Sequence, residues 1–289
     1  MNLRTFSYRI MLYLGLFVVI VNGVFPAIWL LLTSFKSNGE LQRLPITYLP
    51  DTLIFSNYVQ VFERNPFGRF LFNSAFVSLS ATLICVFFAA LAGYALARLN
   101  LPGRKIILTG IVMTSMFPAL VLIVPLYRLF RGIDINPGAG VLMTPNLLDT
   151  YWALIIPYVA LSLPIATLTL TSFFQLIPRD LESAAMVDGS SRVGTLFRIV
   201  APLSAPGIVT AGIIIFVNSW NEFLLGLTFI TDKNMRTVPV GITFYQDEFA
   251  FPWAIISAAV TLGIVPLVLL ILFFQKRLIS GLTAGGVKG

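Results

Sequence analysis

The 289-residue chain contains no histidine and a single cysteine, Cys85, which lies inside an apolar block. A His/Cys metal site, a Cys–His nucleophile and a disulfide framework therefore have no residues from which to form. A Ser-His-Asp triad is excluded as well, because its proton relay needs an imidazole. These absences argue against a metalloenzyme, a thiol enzyme or a serine hydrolase, and we expect no catalytic residues and no metal site.

Charged residues are also scarce, since they make up 11% of the chain, whereas 57% of the residues are hydrophobic. Ordinary soluble domains have roughly a quarter of their residues charged. The basic residues that give the net charge of +7 are spread singly between apolar blocks and form no stripe that could follow a nucleic-acid backbone. The composition therefore predicts a membrane protein that contacts lipid and does not bind nucleic acid.

The charged residues delimit six apolar blocks, five of them uncharged and the sixth interrupted only by Glu222. Each block is long enough to cross about 30 Å of hydrocarbon as a helix. The first is longer than the apolar core of a typical signal peptide, and no clear cleavage site follows it, so we interpret it as an uncleaved span. The pattern predicts an all-α polytopic membrane protein with six transmembrane helices near residues 10–35, 70–97, 106–127, 150–177, 206–231 and 250–275.

The distribution of charge between the connecting segments predicts the orientation of these spans. With the N-terminus inside, the cytoplasmic segments carry 11 basic and three acidic residues, and the outer segments carry eight of each. Basic residues concentrate on the cytoplasmic side of membrane proteins. We therefore expect both termini to be cytoplasmic.

The cytoplasmic segment 178–205 is long enough to carry structure of its own. Asp180 can cap a first helix, Gly189 can adopt the left-handed conformation that ends it, and Ser190 or Ser191 can cap a second helix with an apolar face. The segment predicts a helix, a turn and a helix on the cytoplasmic face. Such a pair fits either a docking site for a partner or a connector that lies on the lipid surface.

The same segment contains the pattern Glu-x-Ala-Ala-x-x-Asp-Gly followed by Ile-x-x-Pro, which resembles the signature loop of ABC importer permeases. The matching residues are Glu182, Ala184, Ala185, Asp188, Gly189, Ile199 and Pro202. These permeases usually carry a glutamate directly before the paired alanines, where this chain has Ser183. This departure puts in doubt any charge contact between that glutamate and an ATPase subunit.

Three further segments are similar to the maltose-type branch of carbohydrate permeases: residues 93–98 with 102–104, residues 220–223 and the terminal residues 281–289. The chain is identified as a member of this branch, and it resembles the smaller membrane-spanning subunit. The resemblance implies the ABC importer type I permease fold in a bacterial inner membrane. It also implies partners: a second permease subunit that completes a heterodimer, two ATPase subunits and an extracytoplasmic sugar-binding protein.

The resemblance further implies how the parts of this chain divide their work. The signature loop would transmit ATP-driven closure to the spans, and the outer loop, residues 232–252, would enter the cleft of the binding protein. The cytoplasmic tail, residues 278–289, would contact the ATPase through Thr283, Gly285, Gly286 and Lys288. ATP and Mg²⁺ would be used by the ATPase subunits, and this chain has no phosphate-binding loop of its own.

Three neighbouring residues are candidates for the translocation pathway: Trp220, Asn221 and Glu222. Glu222 is the only acid well within an apolar block, where an ionised carboxylate is costly unless it is paired or hydrated. It either lines the pathway or makes a hydrogen bond between helices. Trp220 either stacks on a sugar face or is an interfacial or packing residue. The sequence leaves these alternatives open.

The main alternative function is an ion-coupled secondary transporter. Such a protein is expected to show several intramembrane carboxylates or a repeated pair of broken helices. The chain has one such acid and no convincing internal repeat. The sequence therefore favours the membrane-spanning subunit of an ATP-driven sugar importer, although it does not name the sugar.

Overall fold

The computed structural model describes residues 3–132, 146–246 and 251–286, and within these ranges the chain is helical and has no β-strand. This confirms the all-α prediction. The helices of these ranges are α1 Leu3–Ser34, α2 Asn38–Leu41, α3 Ser56–Arg64, α4 Phe67–Arg98, α5 Arg104–Ser115, α6 Ala119–Arg131, α7 Trp152–Gln175, α8 Arg179–Val187, α9 Arg192–Thr195, α10 Ala201–Leu203, α11 Ala205–Asn221, α12 Leu224–Phe229, α13 Val238–Thr243 and α14 Trp253–Gly286.

Four stretches of single helices are long and apolar enough to cross a membrane: Met11–Ser34 of α1, all of α4, all of α7 and Trp253–Arg277 of α14. Two further spans result if each of two bent pairs crosses once. Helices α5 and α6 meet at 89°, and the segment Arg192–Leu203 meets α11 at 85°. Four of the six predicted spans thus correspond to continuous helices, and the third corresponds to the bent pair of α5 and α6. The predicted fifth span begins with α11, whereas Arg192–Leu203 belongs to the segment predicted to be cytoplasmic.

The bend between α5 and α6 has a cause in the sequence. Pro118 directly precedes α6 and has extended backbone angles. Its ring removes a hydrogen-bond donor and disfavours the helical conformation in the residue before it, so α5 cannot continue through this position. In the second bent pair, Pro206 lies in the first turn of α11, where the missing donor costs nothing.

The described residues fall into two compact units. The first is formed by Met1–Phe67 with Gly241–Val265, and the second by Gly68–Val240 with Pro266–Gly289. In the first unit, buried Lys36 donates to the carbonyl oxygen of Thr47, and its ammonium lies 5.1 Å from the ring centroid of Trp29. The ammonium is therefore balanced by a carbonyl dipole and an aromatic face.

The second unit is held together by two clusters of buried apolar side chains, which join α4 to α7 and to the helices after residue 192. Gly93 allows α4 to approach α7 closely. A Cβ atom at this position would lie 3.1 Å from the backbone nitrogen of Thr171 and 3.2 Å from the Cβ of Leu170. This unit contains the signature loop and the pathway candidates, so the candidate sites below all lie within it.

Candidate coupling site and translocation-pathway residues

The signature loop has the predicted order of helix, turn and helix. Helix α8 ends at a turn in which Gly189 has a φ of 87°, so the glycine supplies the left-handed conformation as expected. Ser191 caps α9, because its side chain accepts a hydrogen bond from the backbone nitrogen of Gly194 at 3.1 Å. The prediction that Asp180 caps the first helix is wrong. The N-cap is Pro178, which places Asp180 within the first turn, where its charge still complements the helix dipole.

The second helix of the loop is not regular. Helix α9 continues into a π-helical segment, Leu196–Val200, and then into α10. Ile199 lies half-buried in the π-helical segment, and Pro202 is exposed in α10. Leu196 and Val200 are buried and bring the loop against the core of the second unit.

The paired alanines of α8 face in different directions. Ala185 is 7% exposed and packs inside the chain, whereas Ala184 is exposed. Leu181, Val187 and Asp188 are exposed as well, with Val187 at 87%. Helix α8 thus has one face that packs against its own chain and one largely apolar face that is open to a partner.

Glu182 is on the packed face of α8. Its Oε1 lies 2.5 Å from Nε of Arg98, and its Oε2 accepts a hydrogen bond from the hydroxyl of Tyr94 at 3.0 Å. Arg98 also donates from Nη2 to the carbonyl oxygen of Ile177 at 2.7 Å. We call Tyr94, Arg98 and Glu182 the coupling anchor, because they join the end of α4 to the first helix of the signature loop.

The coupling anchor is buried, since the side chains of Arg98 and Glu182 are 8% and 6% exposed. Removing one member of a buried ion pair leaves an uncompensated charge, which is far more costly than the net gain of making the pair. Glu182 is therefore committed to Arg98 and is not available to a partner, while its neighbour Ser183 is exposed. The cleft beside the anchor is also lined by Arg179 and Arg192.

The tail residues predicted to contact the ATPase fall at the end of the last helix. Thr283, Gly285 and Gly286 lie within α14, which continues beyond the predicted end of the sixth span. No proline interrupts the chain between residue 276 and the glycine pair, so the helix has no local reason to end earlier. Lys288 lies outside the described residues.

At the other end of α4, Asn73 binds the segment that follows α12. It is fully buried, and its Nδ2 donates to the carbonyl oxygens of Asn234 at 2.8 Å and Arg236 at 2.9 Å. Its Oδ1 accepts a hydrogen bond from the hydroxyl of Tyr151 at 2.8 Å. Both N–H donors of the amide and one of the two lone pairs on its oxygen are thus used in hydrogen bonds.

Asp149, which lies just before α7, binds the same segment. Its carboxylate accepts hydrogen bonds from the backbone nitrogen of Thr231 at 2.5 Å, the hydroxyl of Thr231 at 2.6 Å and the backbone nitrogen of Asp232 at 2.8 Å. Burial by itself raises the pKa of this carboxyl, but these hydrogen bonds outweigh burial and hold the pKa below its ordinary value of 3.8. We call Asn73, Asp149 and Tyr151 the loop anchor.

The loop anchor bears on the predicted outer loop, residues 232–252. The first residues of that loop are fixed by Asn73 and Asp149, and α13 follows directly at Val238. Residues 247–250 lie outside the described residues. Asn73 and Tyr94 are separated on α4 by 21 residues, or about 32 Å at about 1.5 Å per residue, which is close to the thickness of the hydrocarbon core.

Of the pathway candidates, Trp220 points into the protein. It is 3% exposed and stacks on Phe216 with ring centroids 5.6 Å apart. Asn221 is the last residue of α11 and is exposed. Of the two alternatives for Trp220, the geometry favours packing within the protein.

Glu222 stands where the fifth predicted span is interrupted between α11 and α12. Its Oε1 accepts from the backbone nitrogen of Leu225 at 2.8 Å, and its Oε2 accepts from that of Gly226 at 3.1 Å. The hydroxyl of Tyr158 on α7 donates to Oε2 at 2.8 Å. The carboxylate therefore accepts from two N–H groups in the first turn of α12 and bonds that helix to α7. Of the two alternatives for Glu222, this geometry favours the hydrogen bond between helices.

The residues that sequence analysis missed share one signal. Asn73 is an amide within an apolar block, and Asp149 is an acid directly before one, so each is a polar group within or next to a long apolar run. Tyr94 and Arg98 belong to a segment that was recognised only by resemblance. In the described part of the chain, no group of three or more His, Cys, Asp or Glu residues could hold a metal ion.

Comparisons with known proteins show what the chain as a whole is similar to. The family model described as "Binding-protein-dependent transport system inner membrane component" matches residues 51–283. The sulfoquinovosyl glycerol transport system permease protein of Agrobacterium fabrum is 51% identical over 98% of this chain and 95% of its own length. The trehalose/maltose transport system permease protein of Thermococcus litoralis is 37% identical over 97% of each chain.

Among solved structures, a chain of a bacterial ABC transporter involved in the import of the acidic polysaccharide alginate matches with a TM-score of 0.78. The match covers 96% of this chain and 98% of that chain at 17% sequence identity, and it shows the same fold. A chain from another structure, of a bacterial alginate ABC transporter in complex with an alginate pentasaccharide-bound periplasmic protein, matches with a TM-score of 0.72 at 16% identity.

Proposed function

Because the chain belongs to the family of binding-protein-dependent transport system inner membrane components, we propose that it forms one half of the translocation pathway of an ATP-driven sugar importer. It is a multi-pass permease subunit of the inner membrane and a transport component rather than an enzyme. Nothing in the comparisons supports an ion-coupled secondary transporter. A second permease subunit would supply the other half of the pathway, with both termini of this chain in the cytoplasm.

The relatives indicate which substrates to test first. Their names specify a sulfoquinovosyl glycerol system at 51% identity, a trehalose/maltose system at 37% and a trehalose system of Mycobacterium tuberculosis at 35%. All three substrates are glycosides that carry several hydroxyl groups. The transported compound is accordingly a small glycoside, and sulfoquinovosyl glycerol is the first candidate.

The coupling anchor is the observation that carries the proposed role of the signature loop. It holds one face of α8 against α4 through Glu182, so the opposite face, with Ala184 and Val187, is presented to a partner. A partner that grips this face moves α8 together with α4, because the buried ion pair resists separation. The partner is the ATPase, of which two subunits would serve the heterodimer.

The cytoplasmic tail and the outer loop are the parts of the chain that would contact the remaining partners. Thr283, Gly285, Gly286 and Lys288 would contact the ATPase subunits, whose ATP and Mg²⁺ this chain does not bind. An extracytoplasmic sugar-binding protein would dock at the outer loop beyond the segment that Asn73 and Asp149 fix.

The experiment that tests this function is uptake in proteoliposomes. The chain is purified with its second permease and ATPase subunits, and uptake of radiolabelled glycoside is measured in the presence of the loaded binding protein. We expect uptake that needs ATP inside the vesicle and continues when ionophores collapse the ion gradients. Uptake that stops with the ionophores and does not need ATP would contradict the proposal.

A variant of α8 separates coupling from folding. Ala184→Trp adds bulk on the open face, so it should abolish ATP-driven uptake and substrate-stimulated ATP hydrolysis while the chain still inserts. Ala185→Trp should instead disturb the chain's own packing, because Ala185 is buried. Leu83→Trp, at a 63% exposed position of α4, is the control for added bulk. Normal ATP-driven uptake by Ala184→Trp would rule out this face as the docking surface.

A further inference from the structure

A groove of about 150 Å³ lies between α7 and α11, in the second unit. Most of its lining is aliphatic, including Ile165 and Ile214. Three polar side chains also line it: Ser162 and Thr169 from α7, and Asn218 from α11. Both helices cross apolar blocks of the sequence, so these polar groups lie at membrane depth.

The three polar side chains differ from other hydroxyl groups on the same two helices. Thr171 donates to the carbonyl of Thr167 at 2.7 Å, and Thr210 donates to the carbonyl of Pro206 at 2.8 Å. By contrast, Ser162, Thr169 and Asn218 have no side-chain hydrogen bond to any residue that the structure describes. Within the described residues, their hydrogen-bonding capacity is therefore unused.

Their spacing places them on one surface. Ser162, Ile165 and Thr169 recur at intervals of three and four residues, which aligns them along one face of α7. Asn218 faces them from α11, and exposed Asn221 lies three residues further along the same helix. The side chain of Trp220 is buried, and the carboxylate of Glu222 accepts a hydrogen bond from Tyr158. Both groups are therefore engaged within the chain. The polar face of α11 that remains open is thus formed by its asparagines.

Lipid cannot satisfy this face. An amide or hydroxyl group without a hydrogen bond is costly in hydrocarbon, so such groups face protein or water. Among the residues that line the groove none is charged. The lining offers neutral donors and acceptors beside aliphatic surface, which complements the hydroxyl groups and the apolar ring faces of a sugar and offers no counter-charge to an anion.

We propose that this groove is where the chain contacts the transported sugar, with Asn218, Ser162 and Thr169 forming hydrogen bonds to its hydroxyl groups. The proposal rests on the proposed function, since it places a substrate contact within that translocation pathway. Any anionic group of the substrate is bound elsewhere in the importer, because the groove has no cation to receive it.

Thiol labelling in the assembled importer tests the proposal. The native chain should give little background labelling, because its one cysteine, Cys85, is fully buried. Asn218→Cys is treated with a charged, membrane-impermeant methanethiosulfonate reagent, and the label is read on this chain after electrophoresis. Leu83→Cys, at an exposed apolar position of α4, is the control that should stay unlabelled.

We expect Asn218→Cys to be labelled in the intact complex and to be protected by substrate. The probes are sulfoquinovosyl glycerol, trehalose and maltose, each supplied with its loaded binding protein. A sugar at ten times its Kd leaves about one site in eleven free, so labelling should slow about tenfold. Labelling that no transported sugar slows would overturn the proposal, as would a thiol that stays unlabelled in the complex.

Transport kinetics provide a second readout. Asn218→Ala, Ser162→Ala and Thr169→Val each remove one hydrogen bond, so each should raise the KM for uptake about 2- to 12-fold without lowering the amount of assembled complex. If the groove instead packs against the second permease, these variants would lower assembly and leave KM unchanged, which overturns the proposal. Wild-type uptake that does not need ATP would refute the proposed function instead, whatever the labelling shows.

Discussion

The coupling anchor and the loop anchor lie at opposite ends of α4, and they are made in different ways. The coupling anchor joins side chain to side chain through a buried ion pair between Arg98 and Glu182. The loop anchor joins side chains to backbone, because Asn73 and Asp149 bind the carbonyl and N–H groups of residues 231–236. The first fixes one helix to another, and the second supplies partners to a stretch that has no regular helix of its own.

This difference has a physical reason. Helix α8 satisfies its own backbone, so only side chains remain to attach it to α4. Residues 231–236 are irregular except for the short 3₁₀ turn Lys233–Met235, and their backbone groups need partners near the membrane boundary. A buried ion pair fails severely when one half is removed, because the other charge is left without a partner, whereas an attachment to backbone groups loses one hydrogen bond at a time. The variants below test that ranking.

The largest effect is expected from breaking the ion pair of the coupling anchor. Glu182→Leu or Arg98→Leu leaves a buried charge without its partner, which costs about 3–5 kcal/mol. Removing both charges together should cost much less than the sum of the two single changes. Thermal unfolding of the purified complex for both single variants and the double variant gives the coupling energy. Ser183→Ala is the matched control on α8, and additive losses in the double variant would show that the two side chains do not act as a pair.

The loop anchor should be weaker. Asn73→Leu leaves the carbonyls of Asn234 and Arg236 without their donor, at a cost of about 1–3 kcal/mol. Proteolysis of the segment between residues 231 and 246 should become faster, because its fastening is lost. Tyr151→Phe removes only one hydrogen bond and serves as the graded control. A loss of stability equal to that of Glu182→Leu would contradict the ranking.

The turn beside the coupling anchor should show a smaller effect. At Gly189, a Cβ atom would meet nothing within 4 Å, so Gly189→Ala introduces only the strain of a positive φ. That strain costs about 1–2 kcal/mol. We expect a modest fall in unfolding temperature together with weaker substrate-stimulated ATP hydrolysis. Gly110→Ala, in open space within α5, is the control and should be neutral or slightly stabilising.

The smallest effect concerns the charge of Asp149. Its folded-state pKa is depressed, so the carboxylate contributes stability that is fully present above the unfolded pKa of about 3.9 and is lost as pH falls through the folded pKa. Asp149→Asn tolerates the φ of 58° at this position and removes the charge. The difference in unfolding temperature between wild type and Asp149→Asn should stay constant from about pH 8 to about pH 5 and shrink below about pH 4. A difference that does not change with pH would show that the charge is irrelevant.

Local signals in the sequence predict the local features of this fold. The apolar blocks predict the spans, Gly189 predicts the turn, and Ser191 predicts a cap, because each depends on residues within a few positions. The predicted cap, Asp180, lies two positions after the observed cap, Pro178, because both proline and aspartate are favoured at the start of a helix. The bend before Pro118 follows from the same local chemistry.

The directions of side chains could not be predicted in this way. Glu182 turns inward because Arg98, 84 positions earlier, lies beside it, and Glu222 turns toward Tyr158, 64 positions earlier. Nothing within one helical turn of either glutamate specifies these partners. The sequence therefore identified Glu222 as unusual but did not show that it binds the first turn of α12. It also placed Trp220 beside Asn221 without showing that one is buried and the other exposed.

The presence of both anchors on α4 has a consequence for affinity. If α4 shifts between two positions, a protein bound at the signature loop and a protein bound at the outer loop both bias the same equilibrium. Thermodynamic reciprocity then requires that each partner change the other's affinity by the same factor, typically about 5- to 150-fold for a coupling free energy of about 1–3 kcal/mol. A partner at the outer loop that strengthens the binding of a partner at α8 is therefore itself bound more tightly once α8 is occupied.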